Sequence, residues 1–233
     1  MRRLFLFILL ISGLAVASGQ VHHSCPLHDH GLDPYQNPLY EKWLSAYDVK
    51  GYDLNLTVSN TETWIGGEVA ILVEAVRDLD TLVLELQDAL TVSGVNLDNN
   101  PLPFEHKDDA VYIALDHIYK KGELVRVHIL YEGDAGQNRG FFAGITSDTD
   151  HGYGFDVTYT LSEPHNARDW FPVKQVLEDK IDSVTFRIRC DKELLAGSNG
   201  VLTSIEGAGD DHILTWKTAY PMAYYLISFA VAD

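Results

Sequence analysis

The stretch Tyr52–Ser59, YDLNLTVS, decides the fold class. Tyr52, Leu54, Leu56 and Val58 alternate with Asp53, Asn55, Thr57 and Ser59, a period of two that suits a strand with one buried face. Working outward, WIGGEVAILVEAV (64–76) continues the theme, and its Gly pair is expected to mark a bulge or bend. TLVLEL (81–86), LTVSGVNL (90–97), AVYIAL (110–115) and LVRVHILYEG (124–133) follow at short intervals, separated by Asp, Asn, Pro and Gly clusters. Later come FDVTYTL (155–161), SVTFRIRC (183–190), VLTSIEG (201–207), HILTWK (212–217) and YYLISFAVA (224–232). Many short strands with almost no long helical pattern predict an all-β chain of stacked antiparallel sheets.

The N-terminus reads differently. Arg2 and Arg3 precede the 14-residue apolar run LFLFILLISGLAVA, which ends in Ala15-Val16-Ala17. A basic start, a short apolar core and an A-x-A site predict a signal peptide over 1–17, cleaved on export to the periplasm or beyond the cell. The run is short of the roughly 20 residues that span a bilayer, so no stable membrane anchor is expected after cleavage. Residues 18–46 lack periodicity and read as a mobile mature N-terminal segment, with a brief helical pattern at Leu39–Ala46. The folded β domain is expected over 47–233.

Charge and cysteines narrow the partners. The chain of 233 residues carries 17 basic and 34 acidic side chains, a formal charge of −17, with no basic patch, which excludes nucleic acid as a partner. Cys25 and Cys190 are headed for an oxidising compartment, and whether they pair stays open on spacing alone.

The common catalytic signatures are missing. His22, His23, Cys25, His28 and His30 could supply zinc ligands, but a tail offers no fixed geometry or supporting hydrogen bonds. No histidine is followed by Glu, so the H-E-x-x-H zinc helix is absent, and there is no G-x-S-x-G nucleophile elbow. Asp148 with Asp150, and Asp210 with Asp211, lack the calcium-loop pattern and read as solvated turns. No metal or cofactor is expected in this chain, and no catalytic residue is assigned.

One stretch stands apart: Thr160–Gln175, TLSEPHNARDWFPVKQ. It resembles the T-Q-x-E-x-x-x-A-R-x-x-F-P signature of the N-terminal domain of M1 zinc aminopeptidases, the aminopeptidase N-like gluzincins. YDVKGYDLNLTV, LVRVHILYEG, RGFFAGIT, SNGVL and YPMAYYLISFAVAD resemble further segments of that domain, in the same order. The resemblance implies a saddle-like, multi-stranded antiparallel β-sandwich. It also implies that Glu163 binds the α-amino group of a peptide substrate, in an active site whose zinc and its ligands belong to a separate catalytic domain. An ammonium leaving water needs a carboxylate to meet it, which suits that role. Arg168 is expected to pair with a carboxylate or carbonyls, Trp170 and Phe171 to pack, and Pro172 to fix a turn.

The departures are informative. The family's Gln is Leu161 here, its Cys is Val173, and its D-E-P is Gln175, Val176 and Leu177. G-x-M-E-N is missing along with H-E-x-x-H. The expected function is therefore the substrate-amine-anchoring domain of an exported aminopeptidase, inactive without a catalytic domain. The alternatives are a free-standing secreted β-sandwich binding module and a truncated gene product without function.

Overall fold

The computed structural model describes Leu39 and residues 42–137, 143–149, 151–152 and 154–233. The expected signal peptide, the His22–His30 cluster and Cys25 lie outside the described residues. So does the first half of RGFFAGIT, residues 139–142.

Numbered in chain order, eight strands make the largest sheet. Its spatial order is β14 (Val201–Ala208), β15 (Asp211–Thr218), β12 (Ser183–Asp191), β1 (Tyr47–Thr57), β2 (Trp64–Ala75), β8 (Leu124–Asp134), β4 (Thr91–Leu97) and β5 (Asn100–Pro101). A second sheet of four runs β13 (Leu195–Ser198), β17 (Phe229–Ala232), β10 (Asp156–Leu161) and β9 (Gly144–Thr149). Three strands, β3 (Leu79–Glu85), β7 (Ala110–Tyr119) and β6 (Phe104–Lys107), form a third. Two short strands, β11 (Lys180–Ile181) and β16 (Met222–Ala223), pair by themselves.

The all-β reading holds, and the alternation behind it is visible in the packing. Leu54 and Leu56 of β1 are buried while Asn55 and Thr57 face solvent. The pairing is not uniformly antiparallel, however: β1 runs parallel to β12, Gly51 opposite Ser183 through Thr57 opposite Arg189. Alternation reports which face a side chain takes and carries no signal for neighbour or direction. Strands this far apart in the chain are also free of any hairpin constraint.

Two further expectations change. The Gly66–Gly67 pair makes no bulge, since β1 and β2 stay in register there; the irregularity lies between Val49 and Gly51. Gly67 is instead a close approach: at φ 151°, a Cβ would sit 2.0 Å from the Asn55 carbonyl oxygen. The packed region also reaches ahead of Tyr47, because Leu44 and Ala46 are buried in a short 3-10 turn over Leu44–Ala46. Val76 N–H donates to the Ala46 carbonyl at 2.9 Å and fastens that turn to the end of β2.

Cys190 is buried on β12 as a free thiol, directly opposite His212 of β15. Burial pushes its pKa up to about 11, helped by the Asp211 and Asp191 carboxylates.

Candidate amine-binding corner

The site is built from the end of β10 onward. The strand stops at Leu161, and Ser162, Glu163, Pro164, His165 and Asn166 turn into a 3-10 helix over Ala167–Asp169. Asn166 N–H donates to the Ser162 carbonyl at 3.1 Å, and the Trp170 indole N–H donates to Ser162 Oγ at 2.9 Å. These bonds close the turn around residues 163–165. The Glu163–Pro164 peptide bond is cis.

Trp170 and Phe171 then enter the core, both fully buried. Trp170 lies tilted against Phe171, ring centroids 4.3 Å apart, and meets Phe229 of β17 edge-on at 5.5 Å. Phe171 meets Tyr52 of β1 edge-on at 5.5 Å. The pair thus wedges between the eight-stranded and four-stranded sheets, where truncation of either ring would cost about 3–5 kcal/mol. Tyr131 of β8 donates its hydroxyl to the Trp170 carbonyl at 2.8 Å, so the wedge is also tied by a polar bond. The residue on the far side is equally constrained. Gly144 starts β9 at φ 74°, where a Cβ would lie 2.6 Å from Asp169 Cβ and 2.7 Å from the Asn166 carbonyl oxygen.

Beyond Pro172 the chain runs through a buried polar seam. Val173 exchanges backbone hydrogen bonds with Glu85 of β3, at 3.0 and 2.8 Å. Glu85 Oε2 accepts the Gln175 N–H at 2.9 Å, and Gln175 Oε1 accepts the Arg168 N–H at 3.2 Å. Gln175, a departure from the signature, therefore stitches the corner to β3. Lys174 is buried too. Its ammonium donates to the Tyr47 carbonyl at 2.6 Å, pairs with Asp179, and lies over the Tyr47 ring at 4.7 Å. Asp179 accepts the Val49 N–H on both carboxylate oxygens, at 3.2 and 3.3 Å. Burial pushes Asp179 up to about 6 despite the Lys174 charge, and a shared hydrogen bond with Asp48 pushes the same way.

Against this fixed frame Glu163 is exposed and forms no hydrogen bond or ion pair among the described residues. Its neighbours are anchored. The buried Tyr224 donates its hydroxyl to the Pro164 carbonyl at 2.5 Å and lies 3.4 Å from His165 Nδ1. Burial holds His165 below the ordinary histidine range, with the Arg168 charge adding to it. The arrangement presents one carboxylate on a rigid support, with no second group of the described chain opposing it.

The other candidates are not gathered here. Arg168 reaches Asp109 at 3.8 Å, an exposed pair of little energetic weight. Asp211 is taken up by Arg189 at 2.7 Å and Asp210 lies 3.9 Å from Lys192, while Asp148 is an exposed end of β9 and Asp150 lies outside the described residues. Among the described residues no three His, Cys, Asp or Glu side chains are grouped to hold a metal ion. Sequence reasoning missed Glu85, Lys174, Asp179 and Tyr224. The only signal for Lys174 was a lone charge inside the apolar run Phe171–Val176.

The corner thus sets an exposed glutamate, Glu163, beside a buried aromatic wedge. Residues 49–226 match the Peptidase M1 N-terminal domain, and the chain belongs to that family. Among solved structures it is similar to an M1 zinc metallopeptidase from Deinococcus radiodurans (24% identity, TM-score 0.71), covering 80% of this chain and 42% of that one. A mutant of the same enzyme bound to a Tyr-Ser-Ala substrate gives 25% identity and a TM-score of 0.69, with the same coverage. Leukotriene A4 hydrolase from Saccharomyces cerevisiae shares the fold at 19% identity and a TM-score of 0.62, over 81% of this chain and 29% of that one. No curated protein matches the chain. The chain thus spans less than half the length of the solved structures it resembles.

Proposed function

We propose that this chain is the substrate-amine-anchoring domain of an exported M1-type zinc aminopeptidase, which removes N-terminal residues from peptides once joined to a catalytic domain. The supporting observation is Glu163: an exposed, unpaired carboxylate on a turn closed by Ser162, Asn166 and Tyr224 and backed by a buried aromatic wedge. Such a group is ready to accept hydrogen bonds from an ammonium without first giving up another partner. A peptide amine held there would be selected over an internal amide, which carries no charge. Zinc, where the catalytic domain supplies it, would polarise the scissile carbonyl. Glu163 would hold the substrate's N-terminus in register with it, and Leu161, half-buried beside it, would add an apolar contact.

The test uses the chain alone and the longest reading frame that contains it. The chain alone is expected to leave an alanyl chromogenic amide intact, and chelator-sensitive hydrolysis by the pure chain would overturn that part. In the longer protein, Glu163→Gln removes a charge-assisted bond worth about 2 kcal/mol, a rise in KM of roughly 30-fold. A KM within twofold of the parent would overturn the role of Glu163. Export is tested by fractionation and N-terminal sequencing, with cleavage after Ala17 expected.

A further inference from the structure

We infer that the free edge of β14 is a self-association surface on which a second copy of this chain continues the eight-stranded sheet. Among the described residues the strand pairs with β15 on one side only. Six of its eight residues are exposed and none is buried. The exposure is apolar: Val201 is 68% exposed, Ile205 55% and Leu202 38%. Leu202 lies opposite Trp216 and Ile205 opposite Leu214, whose side chain belongs to the core. The core-facing side of the sheet therefore runs on, uncovered, to its last strand.

The opposite edge of the same sheet is protected. There β5 is two residues long, ends in Pro101, and follows a turn through Asp98 and Asn99. Short length, proline and nearby charge are the devices that discourage edge pairing. β14 has no proline and one charge, Glu206. Its only interruption is the irregularity between Leu202 and Ser204.

Charge and face select a second copy as the occupant. A two-fold axis normal to the sheet keeps the core-facing sides of both copies together, as antiparallel edge pairing requires. With Ile205 on the axis, Ile205 meets its own copy, and Ser204 meets Glu206 of the other copy on the outer face. No carboxylate then faces a carboxylate, although the chain as a whole carries −17. The extra residue at Thr203 brings Leu202 to the level of Gly207 of the copy. At Gly207 a side chain would meet nothing within 4 Å, so the space Leu202 needs is open. Pairing over this eight-residue strand buries less than the ~800 Å² per partner of a standard interface, so a dissociation constant of roughly 100 µM is expected.

Sedimentation velocity of the full chain, from about 10 µM to about 1 mM at physiological salt, reads the outcome. A concentration-dependent monomer–dimer equilibrium is expected. Ile205→Lys, which sets two ammonium groups on the axis, should weaken it at least tenfold, with circular dichroism and Tm confirming the fold. Ser204→Lys, placed opposite Glu206, should tighten the dimer severalfold, and Ser204→Glu should loosen it. These two exposed changes keep the test open if Ile205→Lys fails to fold. Monomer throughout, growth beyond a dimer, or a dimer indifferent to the Ser204 pair would each overturn the inference.

Discussion

Replacing Lys174 by methionine tests the buried seam behind the corner. Lys174 and Asp179 are 6% and 5% exposed, and Met keeps the apolar stem while removing the ammonium. The Asp179 carboxylate would then stay buried with only the Val49 N–H and Asp48 beside it. Breaking a buried pair from one side costs about 3–5 kcal/mol. In a unit of this size each kcal/mol moves Tm by about 2–4 °C, so a drop of roughly 10 °C is expected. The pH dependence carries a second signature. Asp179 titrates at about 6 in the folded protein, above its ordinary value of 3.8. Its contribution is therefore fully present below 3.8 and lost as pH rises through about 6. Without Lys174 that loss deepens, so the Lys174→Met deficit should be larger at pH 7 than at pH 5. Lys174→Met combined with Asp179→Leu should recover most of the loss, because two apolar groups replace a charge pair at little cost. The assay is urea unfolding followed by fluorescence of the buried Trp170. A single-variant loss under about 1 kcal/mol, or a double variant no more stable than Lys174→Met, would refute the assignment.

Two other expectations accompany the tests of Glu163 and of the β14 edge. Gly144→Ala sets a Cβ 2.6 Å from Asp169 Cβ at φ 74°, and should cost roughly 2–3 kcal/mol in the same unfolding assay; an unchanged midpoint would contradict the close approach. In a Cys25→Ser background the native thiol of Cys190, 2% exposed with its pKa pushed up to about 11, should resist an aromatic disulfide reagent at about pH 8 and react fully once unfolded. Stoichiometric labelling of the native protein would contradict its burial.

The corner shows how far the sequence could be read. Glu163, Trp170 and Phe171 were legible because the signature that carries them is local and dense in unusual residue types. Trp170 and Phe171 pack as expected, and Arg168 does meet a carboxylate, that of Asp109. At Val173 and Gln175 the sequence departs from the family's Cys and D-E-P. In the fold Val173 is a backbone partner of Glu85, and Gln175 is the polar link between Glu85 and Arg168. Tyr224 could not be connected to Pro164 from the sequence, since the two are far apart in the chain and no periodic pattern joins them.

By itself the sequence determined what is local. Alternation at a period of two made the chain all-β, turn residues separated the strands, and a compact signature singled out Glu163 among the exposed glutamates. The tertiary structure alone decided the parallel register of β1 on β12, the burial of Lys174 against Asp179, and the open edge at β14. Each of these depends on which distant segments become neighbours. A side chain's alternation reports its face, whereas its partner is set by the packing of the whole sheet.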